Sequence, residues 1–277
     1  MKLFKFSGVL LLALVLGGCA AGNNSSKSSN SNSSSKTEMS NSSSQSSSDS
    51  QTSNSESTST SSGSQASSSE NQSPSFASNT KQLAAKLPGV LLPQSTGLSS
   101  SQPVNIRYTG NSSSATVYYS VGQSNLALND KGLANKASYA TLTKKDYASS
   151  SQAASNVDYQ DGSQNKGLPK VNLGHSIIGR LQSGAGQQYI SWNEGRWSVV
   201  VHGSPVNNTS PKKAALQTVA LFEQYSLPAP QKVGSVKFES GQNTGLAQTI
   251  TWQNGKSVYT LKANDPNVAV AMGASMK

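Results

Sequence analysis

The stretch Ile250–Tyr259, ITWQNGKSVY, decides the fold, because the chain has already read ISWNEGRWSV at Ile190–Val199. When Gln188–His202 is set against Gln248–Lys262, four of fifteen positions are identical: the Gln, the Ile, the Trp and the Gly. In each copy apolar residues alternate with polar ones on both sides of the glycine, which is the pattern of a β-hairpin with one buried face. A two-residue loop, Glu194-Gly195 in one copy and Asn254-Gly255 in the other, sets Trp192 opposite Trp197 and Ile190 opposite Val199. In the second copy it sets Trp252 opposite Ser257 and Ile250 opposite Tyr259. A three-residue loop would scatter these side chains over both faces. Asn-Gly also suits a type I′ turn, whose two central residues take positive φ.

Each hairpin is followed by a helix signal. Ser210-Pro211 precedes Lys212–Tyr225, with Ala215, Val219 and Phe222 on one stripe. Asp265-Pro266 precedes Asn267–Met276, with Val268, Met272 and Met276 on one stripe. Ser or Asp at the N-cap with Pro at the first helical position is a strong start. The expected fold class is therefore α+β: an antiparallel sheet built from repeated β-hairpin–helix units, with the helices packed on one face. Further strands are expected at Val104–Thr109, Thr116–Val121, Tyr139–Thr143, Gly174–Leu181 and Val233–Glu239, with turns at Gly110-Asn111-Ser112 and Ser183–Gly186. A short helix is expected over Asn79–Leu87, and largely irregular structure with one helical turn over 146–170. Trp192, Trp197 and Trp252 fall on the faces that the helices would cover, so they are assigned to the core.

Composition divides the chain into three parts. Residues 1–18 have a basic start and an apolar run, Val9–Leu16, that is too short to span a bilayer. From Ser25 to Ser75, 28 of 51 residues are Ser, and the segment has too little apolar surface to offset the entropy of ordering it. Residues 19–78 therefore read as a tether, reaching about 40 Å as a coil. Residues 79–277 form the folded part, as one domain or as two sub-domains, 79–181 and 182–277. This part holds 18 Lys and Arg against 8 Asp and Glu, so it carries the whole net charge of +10.

Leu16-Gly17-Gly18-Cys19 resembles the lipobox of bacterial lipoproteins. With the Ser/Asn-rich tether, the chain resembles surface lipoproteins of Gram-positive bacteria, lactic-acid bacteria in particular. The W-x-x-G strand pattern and the closing helix resemble domains common in such proteins and without assigned function. The resemblance implies cleavage before Cys19, lipidation of Cys19 and anchoring to the outer face of the cell membrane. Two or more acyl chains hold a protein there stably. Cys19 is the only cysteine, so no intrachain disulfide forms.

Catalytic patterns are sparse. His175 and His202 stand alone, without H-x-x-H spacing or a cysteine ligand, so neither a metal nor a cofactor is expected. His202 falls at a strand end, where an exposed surface position is expected. His175 beside Ser176 on a strand would point to the opposite face. Ser210-Pro211-Lys212-Lys213 contains an S-x-x-K spacing, but no S-D-N or K-T-G accompanies it and Ser210 reads as a helix cap. Asp158 and Asp161 offer too few oxygens for a Ca²⁺ loop. No catalytic residue is assigned. Tyr118 and Tyr119 are adjacent on a strand, so one must face away from the core; the pair is the candidate contact surface.

The function expected is a non-catalytic, lipid-anchored surface protein that binds an anionic wall or membrane component, or another surface protein. No nucleic acid is expected among its partners. The alternatives are an extracytoplasmic hydrolase acting through Asp158 and Asp161, and a carbohydrate or small-ligand receptor using the aromatic residues.

Overall fold

The computed structural model describes residues 73–241 and 245–277. The signal segment, Cys19 and the tether up to residue 72 lie outside the described residues. Ten strands form one sheet: β1 Val104–Asn111, β2 Ser114–Val121, β3 Ala140–Asp146, β4 Lys170–Asn172, β5 Ile178–Gly184, β6 Gln187–Glu194, β7 Trp197–Gly203, β8 Gly234–Glu239, β9 Gln248–Asn254 and β10 Ser257–Ala263. Their spatial order is β1-β2-β3-β10-β9-β8-β7-β6-β5-β4. Every neighbouring pair is antiparallel except β7 and β8. Four α-helices accompany it: α1 Phe76–Lys86, α2 Ser150–Ser155, α3 Pro211–Gln224 and α4 Pro266–Ala274. The fold is mixed α+β. One sheet runs through all of it, and a sub-domain boundary at 181/182 would cut β5 in two. The folded part also starts before residue 79: Ser75 caps α1 reciprocally with Ser78, three positions on, which satisfies amides at the first turn.

Strand alternation builds the core. One row of side chains crosses eight strands in register: Tyr108, Val117, Leu142, Leu261, Ile250, Val236, Val199 and Trp192. Leu83 of α1 and Leu87 just after it, Ala215 and Val219 of α3, and Val268 and Met272 of α4 are buried in the same cluster. Three helices thus cover one face. The fourth corrects the expectation that all would lie there. Ala153 of α2 packs with Val157 on Val258, whose side chain points opposite to those of Tyr259 and Leu261. Gln253, on that same face, donates to Ser150 Oγ at 2.8 Å. Trp192 and Trp252 are buried and Trp197 is partly buried.

Both hairpins close over two residues, one position later than the sequence suggests. Glu194 pairs with Trp197 and Asn254 with Ser257, so the loops are Gly195-Arg196 and Gly255-Lys256. Gly195 and Gly255 have φ of 56° and 61°, while Arg196 and Lys256 are not in the positive-φ region. Those signs belong to a type II′ turn, with glycine first, and not to type I′. Trp252 therefore faces Tyr259, and the two rings stack at 5.2 Å. Faces are unchanged because the pairing moves by two residues, a full strand period.

The sheet edges are blunted. At β1, Asn129 takes the place of a strand: its Oδ1 accepts from Tyr108 N at 2.7 Å and its own N–H donates to Ile106 O at 3.1 Å. β4, at the other edge, has only three residues. Short or covered edges deter pairing with a second chain. Ser210 sits at the N-cap of α3, but its side chain makes no capping bond; Asp265 caps α4 by accepting from Asn267 and Val268 N–H.

Candidate binding face

The face of the sheet turned away from α1, α3 and α4 is polar, because every strand alternates. Its central row in register is Arg107, Tyr118, Thr141, Lys262, Thr249, Lys237, Val200, Ser191, Arg180 and Lys170. At about 4.8 Å per strand this row is about 43 Å long. Beside it runs a row of small hydroxyl side chains: Thr109, Thr116, Thr143, Thr260, Thr251, Ser235 and Ser198. Five cations therefore stand on one line. Among the described residues, no carboxylate lies within 4.0 Å of Arg107, Lys262, Arg180 or Lys170; Lys237 pairs with Asp158.

Tyr118 and Tyr119 separate on opposite faces. Tyr118 lies in the polar row, with the Arg107 guanidinium 3.8 Å from its ring centroid. Such a contact orients the cation and keeps the aromatic face partly covered. Tyr119 is only 1 % exposed, in the core beside Phe76, and burial pushes its hydroxyl pKa well up. The contact-surface assignment of Tyr119 is therefore corrected: it pairs with Ile106, an interior position, and cannot reach a partner.

The segment between α2 and β4 crosses the polar face and roofs part of it. Asn193 Nδ2 donates to Gln160 O at 2.7 Å, Asn165 Nδ2 to Ser191 Oγ at 2.9 Å, and Arg180 Nη1 to Leu168 O at 3.1 Å. Under this roof is a cleft of about 410 Å³ lined by Gln160, Gln182, Tyr189, His202 and Lys237, among others. His202 is not the exposed surface histidine that its strand-end position suggests. Its Nδ1 meets Glu239, its Nε2 lies 2.7 Å from Gln187 Oε1, and its ring stacks on Tyr189 at 4.6 Å. The parallel pairing of β7 and β8 brings Glu239 opposite His202, and no local periodicity announces that contact.

His175 and Ser176 are also relocated. They lie in the turn before β5, both with positive φ, so they are not strand neighbours at all. His175 Nδ1 lies 3.6 Å from Glu223. The two acids of the hydrolase alternative have separate partners. Asp158 is taken by Lys237, and the Ser163 side chain, together with the Ser163 N–H at 2.9 Å, holds the Asp161 carboxyl below the usual range. Among the described residues no group of three or more His, Cys, Asp or Glu is placed to hold a metal ion, and no helix is long and apolar enough to cross a membrane.

A second ion pair stands apart from this face. Lys144 points to the core side, yet it is almost fully buried, donating to Ser112 O and lying 2.6 Å from Asp146. Partial burial pushes the Asp146 carboxyl up. Hydrogen bonds from Lys144 and Ser257 and the Lys144 charge outweigh that, and its pKa is lowered. The chain matches no protein-family model, and no curated protein or solved structure is significantly similar to it.

Proposed function

We propose that the chain is a lipid-anchored extracytoplasmic surface protein, akin to the tethered lipoproteins of Gram-positive bacteria, that binds an anionic polymer of the wall or membrane surface without catalysing a reaction. Cys19 carries the lipid and the Ser-rich tether sets the reach of the domain. The observation that carries the binding reading is the line of Arg107, Lys262, Lys237, Arg180 and Lys170 across one face, partly roofed between Lys237 and Lys170, with four of the five lacking a carboxylate partner among the described residues. A linear polyanion lying across the strands would meet Arg107 and Lys262 on the uncovered part and Lys170 at the far edge, with the flanking threonines as hydrogen-bond donors; Arg180 and Lys237 are held by the roof. We take β6–β7–α3 and β9–β10–α4 as two copies of one structural unit; matching glycine-first turns, Pro-started helices and the packing of each helix on its own ribbon support this.

The test is binding of the full-length chain to purified wall polyanion, with long-chain polyphosphate as the defined substitute, across a salt series. If the three free cations release counterions as they do on a flexible single strand, affinity falls about twentyfold between 50 and 200 mM salt. Replacing Arg107 and Lys262 by Glu should abolish most of the binding. Salt-independent binding, or unchanged binding by that variant, refutes the reading. A second reading, a small polar ligand such as a saccharide, rests on the 410 Å³ cleft and its Tyr189 platform.

A further inference from the structure

The basic face leaves unexplained a cavity on the other side of the sheet. At the tip of the β6–β7 hairpin, under the C-terminal end of α3, a hollow of about 270 Å³ is lined by Trp197, Phe222, Tyr225, Leu227 and Glu194. It is smaller than the roughly 300–1,000 Å³ of drug-sized sites, so it suits a head group. Its three aromatic side chains are each half-buried against the core, with part of the ring left to the hollow. No Lys or Arg lines it, in a domain carrying ten more cations than anions.

Three features give this hollow a negative potential. Aromatic faces present the negative lobe of their quadrupole. Glu194 is the one carboxylate in the lining, and among the described residues no cation lies within 4.0 Å of it. Arg196, two residues away, is turned aside onto the carbonyls of Pro230 and Gln231, at 2.9 and 3.1 Å. Finally, α3 ends here with its negative pole, and no basic residue lies in its last turn to satisfy it. Among the described residues, the one polar contact of the Glu194 carboxylate is the Trp192 indole N–H at 3.4 Å, a long bond that leaves most of its capacity free.

We infer that this hollow is a binding site for an organic cation, and specifically for a quaternary ammonium head group. Aromatic rings with one carboxylate suit a cation that needs charge complementarity but donates no hydrogen bonds. A primary ammonium is a compact, strongly hydrated charge that loses more hydration on entering an aromatic hollow than a quaternary head group does. This site is separate from the polyanion face, and its test does not depend on that reading.

The experiment is a calorimetric titration of the full-length chain with choline, with its neutral isostere 3,3-dimethylbutan-1-ol, and with methylammonium. Choline should bind tighter than both, by about 2- to 30-fold, which is the range of a desolvated cation–π contact. Glu194→Gln and Phe222→Leu should each weaken choline by a similar factor while melting as cooperatively as the parent. Phe222→Leu retains apolar volume and removes only the ring face, so it keeps the test informative if larger changes unfold the domain. Equal affinity for choline and the isostere, preference for methylammonium, no choline binding, or unchanged affinity in both variants overturns the inference.

Discussion

Gly255→Ala, set against Asn254→Ala, tests the hairpin register on which both faces of the sheet depend. Gly255 has φ of +61°, and a Cβ added there meets no atom within 4 Å. Sterics therefore contribute nothing, and the whole effect is the cost of holding an L-residue in that backbone region, about 1–3 kcal/mol. The lower entropy of Ala in the unfolded chain offsets only about 0.4–1 kcal/mol of this cost. Each kcal/mol lowers Tm by roughly 2–4 °C in a domain of this size. Asn254 is exposed, already at ordinary φ and paired with Ser257, so its replacement should stay within about 0.5 kcal/mol. Thermal and urea unfolding followed by circular dichroism measure both. Gly195→Ala should behave like Gly255→Ala, since its φ is +56° and its Cβ also meets nothing. A loss for Asn254→Ala as large as for Gly255→Ala would mean a type I′ turn, with Trp252 opposite Ser257, and the register argued above would be wrong.

Ile250 is fully buried in the middle of the core row, so Ile250→Ala should cost about 2–5 kcal/mol in urea unfolding; a cost below 1 kcal/mol would contradict its placement. Asp146 has a lowered folded pKa, so its contribution is present above the unfolded carboxylate pKa and is lost as pH falls through the folded value. Stability of the parent should therefore drop from about pH 4 downward, and Asp146→Asn should be weaker at neutral pH but flatter across that range; parallel pH profiles would refute the pairing with Lys144. Asn129→Ala removes the Oδ1 that accepts from Tyr108 N–H and frees that one strand amide of β1, so sedimentation should show more self-association at high concentration; unchanged sedimentation would refute the edge-protecting role of Asn129.

Alternation made the hairpins and the core legible from residues alone. It cannot tell two registers apart when they differ by two residues, because both leave Ile250 and Trp252 on the same face. The Asn254-Gly255 dipeptide then pulled the expectation toward type I′. The adjacency of Tyr118 and Tyr119 required one to point outward, but only the partner strand decides which, through Ile106. β4 was hidden by its length, since Lys170-Val171-Asn172 is too short to show a period. The basic line was hidden for a different reason. Its members come from residues 107, 170, 180, 237 and 262, and only the strand order aligns them. His202 needed the parallel β7–β8 pairing to find Glu239, and such a crossover leaves no local mark.

The strand order has a consequence for biosynthesis. β3 and β8 both wait for partners in the same late ribbon, β10 and β9, which slots between the earlier meanders like a keystone. Until residue 263 has left the ribosome, two long unpaired borders stand open, each a template for misassembly. Closure then depends on contacts spanning more than a hundred residues, as between Ala140 and Ala263, so maturation should be slow and helped by anything that shields those borders meanwhile.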